Sequence, residues 1–299
     1  MASQEAERFH DRLRRWAREV GEGEGPEHFR ACSKTMFDDI GEQFPVVLTP
    51  VDGVRAAWAD EPDKVPGPNV VLFYHGGAFT CGSAETHARF AIQLARRINA
   101  RALLADYRLA PEYTYPTQIE DCAAVYEWLI ASGIEPGRVV ITGESAGGNL
   151  CFTAQLMALS RGAPAPAATY SMSPFLDFEA SGQAYVSNAT ADLVSGAEMT
   201  RFMGRQYVGP DGDVRDPVAT PLYADLSKLS PVFVQVGGDE VLLDDSRMVV
   251  ERARAAGVVA ELDIVPEMQH MYQFDAGVMP EATASYDRAA AFIRRFLPN

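Results

Sequence analysis

The run Gly143-Glu144-Ser145-Ala146-Gly147-Gly148 stands between an apolar, β-like stretch, Arg138-Val139-Val140-Ile141-Thr142, and a helix-like stretch from Asn149 to Ser160. No other segment restricts the backbone as much. A serine on a sharp strand-to-helix turn has its hydroxyl pushed out of the backbone, close to the positive end of the helix, where a developing negative charge is stabilised. The flanking glycines have a steric reason, since a side chain at Gly143 or Gly147 would collide as the chain doubles back. Placed this way, Ser145 is a presented nucleophile.

Its first partner lies upstream. Asn69-Val70-Val71-Leu72-Phe73-Tyr74 reads as a fully buried strand and runs directly into His75-Gly76-Gly77-Ala78-Phe79. Positions without side chains at a strand's end let backbone N–H groups face a ligand oxygen, the requirement of an oxyanion hole. Gly76 and Gly77 are assigned as donors, with the N–H of Ala146 as the third. His75 reads as a residue that pins this loop by hydrogen bonding. Two late strand candidates, Pro231 to Val236 and Glu261 to Val265, end in Gly237-Gly238-Asp239-Glu240 and in Pro266-Glu267-Met268-Gln269-His270. An imidazole can take the hydroxyl proton, and a carboxylate on its other nitrogen fixes the tautomer and steadies the imidazolium. The chain has five histidines. Only His270 follows a late strand, so it is the expected base, with Asp239 or Glu240 as its acid.

Between these motifs strands and helices alternate. Helices are expected near Glu85 to Asn99 and Thr117 to Ala131, the second with an inward stripe of Ile119, Cys122, Ala123 and Tyr126, and strands at Ala102 to Ala105 and Ala167 to Met172. Val46 to Leu48 and Val54 to Trp58, joined through Asp52-Gly53, read as a hairpin at the sheet edge. This pattern predicts an α/β architecture, a mostly parallel sheet with helices on both faces, and ligands in such sheets bind at the C-terminal ends of the strands. Phe9, Leu13, Trp16 and Val20 recur at helical spacing, and Glu27 to Ile40 is a second helical candidate. Residues 1–44 are therefore expected to cover the active site rather than build the core of a catalytic domain spanning 45–299. The excursion 177–229, with a helix near Gly196 to Tyr207, is long enough to be a lid. Phe202, Met203, Leu193, Phe37 and Trp16 are the candidates for lining an acyl or alcohol pocket, with packing of cap on core as the alternative reading of each.

These residues resemble the hormone-sensitive-lipase-like branch of the α/β-hydrolases, bacterial esterases with an HGG-type oxyanion motif. The resemblance rests on His75 to Phe79, Asp106-Tyr107-Arg108-Leu109-Ala110-Pro111-Glu112, Gly143 to Gly148, Ser173-Pro174-Phe175, Asp216-Pro217 and the Glu240/His270 pair, spread over about three quarters of the chain. It implies an α/β-hydrolase fold with an eight-stranded sheet and a helical cap. It also implies Glu240 as the acid, because Glu240-Val241-Leu242-Leu243-Asp244 fits the family's D/E-x-L-x-D register. Two departures stand out: Ala78 replaces the usual third glycine, and Glu144 stands where aspartate is commoner. The carboxylates flanking Arg108 are read as members of a structural ion pair.

Composition narrows the alternatives. With 26 basic against 41 acidic residues the net charge is −15, which opposes nucleic acid and anionic membrane surfaces. The first residues lack the apolar stretch of a secretory signal, and no apolar run approaches membrane-spanning length. A cytoplasmic protein is expected, with a homodimer through an open sheet edge as an option. Cys32, Cys81, Cys122 and Cys151 show no C-x-x-C spacing; Cys81, behind the oxyanion loop, is expected to be sensitive to thiol reagents. The expected chemistry is acyl transfer from a small carboxylic ester of short to medium chain to water, with neither cofactor nor metal. Lactones, amides and carbamates suit the same groups, and a non-catalytic receptor on this fold is the alternative from another class.

Overall fold

The computed structural model describes residues 2–38, 44–51, 53–59 and 67–298, with the side chains of Phe37 and Asp38 outside that description. The elements run in the order α1 (Gln4–Gly21), α2 (Gly25–Asp38), β1 (Val46–Val51), β2 (Val54–Ala59), β3 (Asn69–Tyr74), α3 (Ala84–Ile98), β4 (Ala100–Asp106), α4 (Thr117–Ala131), β5 (Val139–Glu144), α5 (Ala146–Ser160), β6 (Ala168–Met172), α6 (Ala184–Ser187), α7 (Ala197–Val208), β7 (Val232–Gly237), α8 (Leu243–Ala255), β8 (Ala260–Val265) and α9 (Pro280–Ile293). The strands form one eight-stranded sheet in the order β1-β2-β4-β3-β5-β6-β7-β8. The β1–β2 hairpin sits at one edge as expected, its Asp52 lying outside the described residues. β1–β2 and β2–β4 pair antiparallel, and the rest of the sheet is parallel.

Helices cover both faces because the strands are apolar on both. In β3 every residue is buried: Val71 and Phe73 join an apolar cluster with α3 and α9, while Val70, Leu72 and Tyr74 join one with α4 and α5. This is the period of two that a strand imposes. Each such side chain removed from water contributes roughly 1.5–3 kcal/mol before the entropy of ordering the chain is counted. The stripe Ile119, Cys122, Ala123 and Tyr126 of α4 is fully buried, as its spacing predicts. Among the described residues no helix is long and apolar enough to cross a membrane.

The N-terminal helices depart from the expectation that they serve only as a cover. Ala6, Phe9 and Leu13 of α1 belong to the same buried cluster as Phe274, Met279 and Ala282. Polar contacts pin α1 there as well: the N–H and hydroxyl of Ser3 donate to the Glu281 carboxylate at 2.9 and 2.8 Å, and Arg12 pairs with Asp275 at 2.5 Å. The 177–229 excursion is similarly rooted, with Phe178, Tyr207 and Leu222 buried in the main clusters.

The Asp106–Glu112 stretch is structural, but its pairs differ from the expected ones. Arg108 pairs with Asp121 on α4, through Nη2 at 2.6 Å and Nε at 3.0 Å, rather than with its sequence neighbours. Asp106 pairs with Arg55 at 3.2 Å. Glu112 binds Arg30 of α2 at 2.6 and 2.8 Å, and that hydrogen-bonded guanidinium brings the Glu112 carboxyl down to about 2.

Candidate active site

The site is assembled at the C-terminal ends of β3, β5, β7 and β8. Ser145 follows β5 with φ 55° and ψ −119°, a left-handed conformation that costs a non-glycine residue of order 1–3 kcal/mol and persists only where its surroundings enforce it. They do so here. The Ser145 N–H donates to the Met172 carbonyl at 2.9 Å, and the Ser145 carbonyl accepts from Asn149 and Phe175 at 3.1 and 3.0 Å. A Cβ on Gly147 would lie 1.9 Å from the Tyr74 carbonyl oxygen and one on Gly143 2.5 Å from the same atom. The collision that excludes side chains is therefore with the neighbouring strand β3 as much as with the turn itself.

His270 Nδ1 lies 2.7 Å from Glu240 Oε2. The other carboxylate oxygen of Glu240 accepts the Ser173 hydroxyl at 2.7 Å and the Gly237 N–H at 2.6 Å. Asp239 is only partly buried, and the contact to His270 belongs to Glu240. Burial alone would lower the His270 pKa; the hydrogen bond and charge of Glu240, helped by the charges of Glu144 and Asp192, outweigh it and raise the imidazole above its ordinary value. Ser145 and His270 line one cavity of about 60 Å³ together with Trp16, Phe29, Ser33, Met36, Gly77, Ala78, Cys81, Val194, Ser195, Met199, Met203 and Met271.

The oxyanion loop requires a correction. Gly76, expected as a donor, gives its N–H to Oε1 of the buried Glu144, so it has no proton to offer a ligand. The next two residues do: the N–H groups of Gly77 and Ala78 donate to no acceptor among the described residues, and both residues line the cavity. Gly77, Ala78 and Phe79 have φ of 101°, 53° and 60°, a run of left-handed residues that persists only where the surrounding structure enforces it. The Ala146 N–H, in the first turn of α5, has no intrahelical partner either. His75 pins the loop as expected. Its Nδ1 bonds the Gly76 carbonyl at 2.8 Å, its ring stacks on Tyr107 at 4.1 Å, and burial, with His87 nearby, brings its pKa down to about 3.

Of the predicted pocket residues, Trp16 and Met203 line the cavity. Phe202 does not: it is 58% exposed, on the outer side of α7. Leu193 packs against the core while its neighbours Val194 and Ser195 reach the cavity, and the side chain of Phe37 lies outside the described residues. Not anticipated from the sequence were Phe29, Ser33 and Met36 on α2, whose i, i+4, i+7 spacing marks one helix face, and Met199, one turn before the predicted Met203 on α7. Cys81 is also corrected. It is buried, and burial pushes its thiol up to about 12, which removes the thiolate that a reagent would need.

A brace with no local sequence signal joins the 177–229 excursion to the loops that carry Glu240 and His270. Asn188 Nδ2 donates to the carbonyls of Gly238 and Glu240 at 3.0 and 2.9 Å. Asp192 accepts the Val241 N–H at 2.7 Å and those of Val194 and Ser195 at 2.8 Å. Gln269, next to His270, accepts from Leu193 N–H and donates to the Ala191 carbonyl at 2.8 and 2.9 Å.

The sheet order, the serine elbow and a histidine–carboxylate pair on the following strand ends define an α/β-hydrolase. A family profile described as alpha/beta hydrolase fold matches residues 71–274. An acetyl-hydrolase of Streptomyces hygroscopicus is 32% identical over 98% of this chain and 97% of its own, and an esterase of Acinetobacter venetianus is 33% identical over 87% of each. Among solved structures, an esterase of the bacterial hormone-sensitive lipase family superposes with a TM-score of 0.93 at 36% identity, covering 100% of both chains. Another esterase, soaked with p-nitrophenyl butyrate, gives 0.90 at 32% identity over 98% and 99%. The chain belongs to the α/β-hydrolase family, in its hormone-sensitive-lipase-like branch.

Proposed function

We propose that Ser145, His270 and Glu240 are the nucleophile, base and acid of this carboxylic ester hydrolase. The observation that carries the assignment is the 2.7 Å bond from His270 to Glu240, with Ser145 on the wall of the same small cavity as His270. Ser145 Oγ attacks the ester carbonyl while His270 Nε2 takes its proton. Glu240 holds the other ring nitrogen as N–H and stabilises the imidazolium. The Gly77, Ala78 and Ala146 N–H groups receive the oxyanion. His270 then protonates the departing alcohol, and water, deprotonated in turn by His270, cleaves the acyl-enzyme.

Residues 1–44 and 177–229 act as the cap over a 45–299 catalytic domain. Their apolar side chains, Trp16, Phe29, Met36, Met199 and Met203, suit a short- to medium-chain acyl or alcohol group. Methionines give such a pocket room to adapt. Four free, buried cysteines fit a reducing, cytoplasmic setting. The edge strand β8 fits pairing with a second copy.

The test is hydrolysis of p-nitrophenyl esters from two to sixteen acyl carbons by the wild type and a Ser145→Ala variant. Turnover that disappears in the variant is the expected result, and turnover that survives in it refutes the assignment.

A further inference from the structure

We propose that Glu144 is a positioning residue of the oxyanion hole: its buried carboxylate grips the Gly76 N–H and thereby sets the Gly77 and Ala78 N–H groups on the reacting carbonyl. The inference rests on the esterase reading above.

Three observations carry it. Glu144 is 1% exposed, and the contacts at its head are Gly76 and an imidazole. Oε1 takes the Gly76 N–H and lies 3.1 Å from Nε2 of the equally buried His87, while Oε2 has no hydrogen-bond partner among the described residues. Burying a carboxylate costs several kcal/mol unless its oxygens are well bonded. A half-satisfied carboxylate beside the nucleophile is therefore a poor investment for packing alone.

His87 is itself held from behind. Its Nδ1 lies 2.8 Å from the Thr86 hydroxyl, an oxygen that also accepts the Ser83 N–H at 3.0 Å in the capping box of α3. The chain of contacts thus runs from a helix start, through a fixed imidazole, to Glu144 and the loop.

The loop is also shaped to the carboxylate. A Cβ on Gly76 would lie 2.0 Å from Glu144 Oε2, so the glycine is needed for the carboxylate to approach and not for the backbone's own conformation, since Gly76 is not among the positive-φ residues. The two donors that follow it come one and two residues after this fixed point. An error in the anchor displaces both.

Because the oxyanion exists only in the transition state, loss of the anchor lowers kcat and leaves KM nearly unchanged. The experiment compares wild type, Glu144→Ala and Glu144→Gln on p-nitrophenyl butyrate, and measures inhibition by an alkyl trifluoromethyl ketone. Ser145 Oγ adds to the ketone carbonyl, its proton passes to His270, and the resulting hemiketal oxyanion occupies the same donors. In Glu144→Ala, kcat is expected to fall about 100-fold, the scale of one lost oxyanion donor, with the ketone's Ki rising in step. Glu144→Gln keeps an oxygen for the Gly76 N–H and recovers most of both.

The proposal is overturned by an alanine variant with wild-type kcat, by a kcat loss without the matching Ki change, or by a glutamine variant as impaired as alanine. Should Glu144→Ala not fold, Gly76→Ala displaces the carboxylate from the other side; equal losses in kcat and Ki support the proposal, and unchanged values refute it. Activity that survives Ser145→Ala instead refutes the esterase assignment, so the two failures are told apart.

Discussion

Glu240→Gln is the sharpest perturbation available, because the structure dictates how the amide must sit. One carboxylate oxygen accepts the Gly237 N–H at 2.6 Å and the Ser173 hydroxyl at 2.7 Å. Gly237 can only donate, so this position has to remain an oxygen. The new NH₂ group is thereby forced onto the other position, 2.7 Å from His270 Nδ1. It donates there, Nδ1 becomes the acceptor, and the ring proton moves to Nε2, the nitrogen that should receive the serine proton. A wrong tautomer with intact geometry costs about 10⁴ in kcat in serine hydrolases, about 5.4 kcal/mol of barrier at 1.36 kcal/mol per decade. Initial rates on p-nitrophenyl butyrate at pH 8, with near-UV circular dichroism to verify folding, measure it. Asp239→Asn is the control and should stay within a few-fold of wild type. A Glu240→Gln enzyme within tenfold of wild type, or an Asp239→Asn enzyme crippled by orders of magnitude, would refute the reasoning.

Three further outcomes are expected. Burial opposes protonation of His270, but Glu240, Glu144 and Asp192 together raise its pKa; since the base works only when neutral, kcat/KM should fall with decreasing pH through a midpoint above 6.5, the ordinary histidine value. A midpoint well below 6 would contradict this. Asp245 is fully buried, with its carboxyl pushed up to about 7 by burial. The native state then binds more protons than the unfolded chain between about 4 and 7, so this group's contribution to stability declines as pH rises through that window, by up to about 4 kcal/mol. Denaturant unfolding of Asp245→Asn should show a flatter pH dependence there, and an unchanged slope would count against the assignment. Finally, with a Cys81 thiol near 12, about one part in 10⁴ is thiolate at pH 8, so native enzyme should keep its activity in a disulfide reagent; rapid inactivation that a Cys81→Ser variant escapes would contradict the burial argument.

Much of the architecture was legible because the segments concerned are governed by local rules. Asn69 to Tyr74 is apolar on both faces and became a central strand; Thr117 to Ala131 matched its helix residue for residue. The elbow glycines and the proposed base His270 follow from short-range sterics and from chain order, while the proposed acid's register came through the family resemblance. What sequence could not supply depends on contacts between distant segments. Gly76 and Glu144 are 68 positions apart, and nothing near either one says that the loop's first N–H is already taken. Phe202 and Met203 are adjacent, and only the docking of α7 decides which of them faces the cavity. Arg108 has carboxylates on both sides in sequence, yet its partner Asp121 arrives one helix later, where α4 returns along the sheet.

The brace through Asn188, Asp192 and Gln269 changes how the 177–229 region should be treated in protein engineering. A lid that only covers a site can be exchanged for a relative's, and substrate range follows the new lid. Here the same segment carries the hydrogen bonds that hold the Gly238–Val241 turn and the residue before His270, so a transplanted lid would bring its own, untested alignment of acid and base. Redesign of the pocket is better confined to Phe29, Ser33, Met36, Met199 and Met203, whose side chains meet the cavity and take no part in that brace. The tuning of what enters and the alignment of what reacts are thereby divided between different stretches of the same cap.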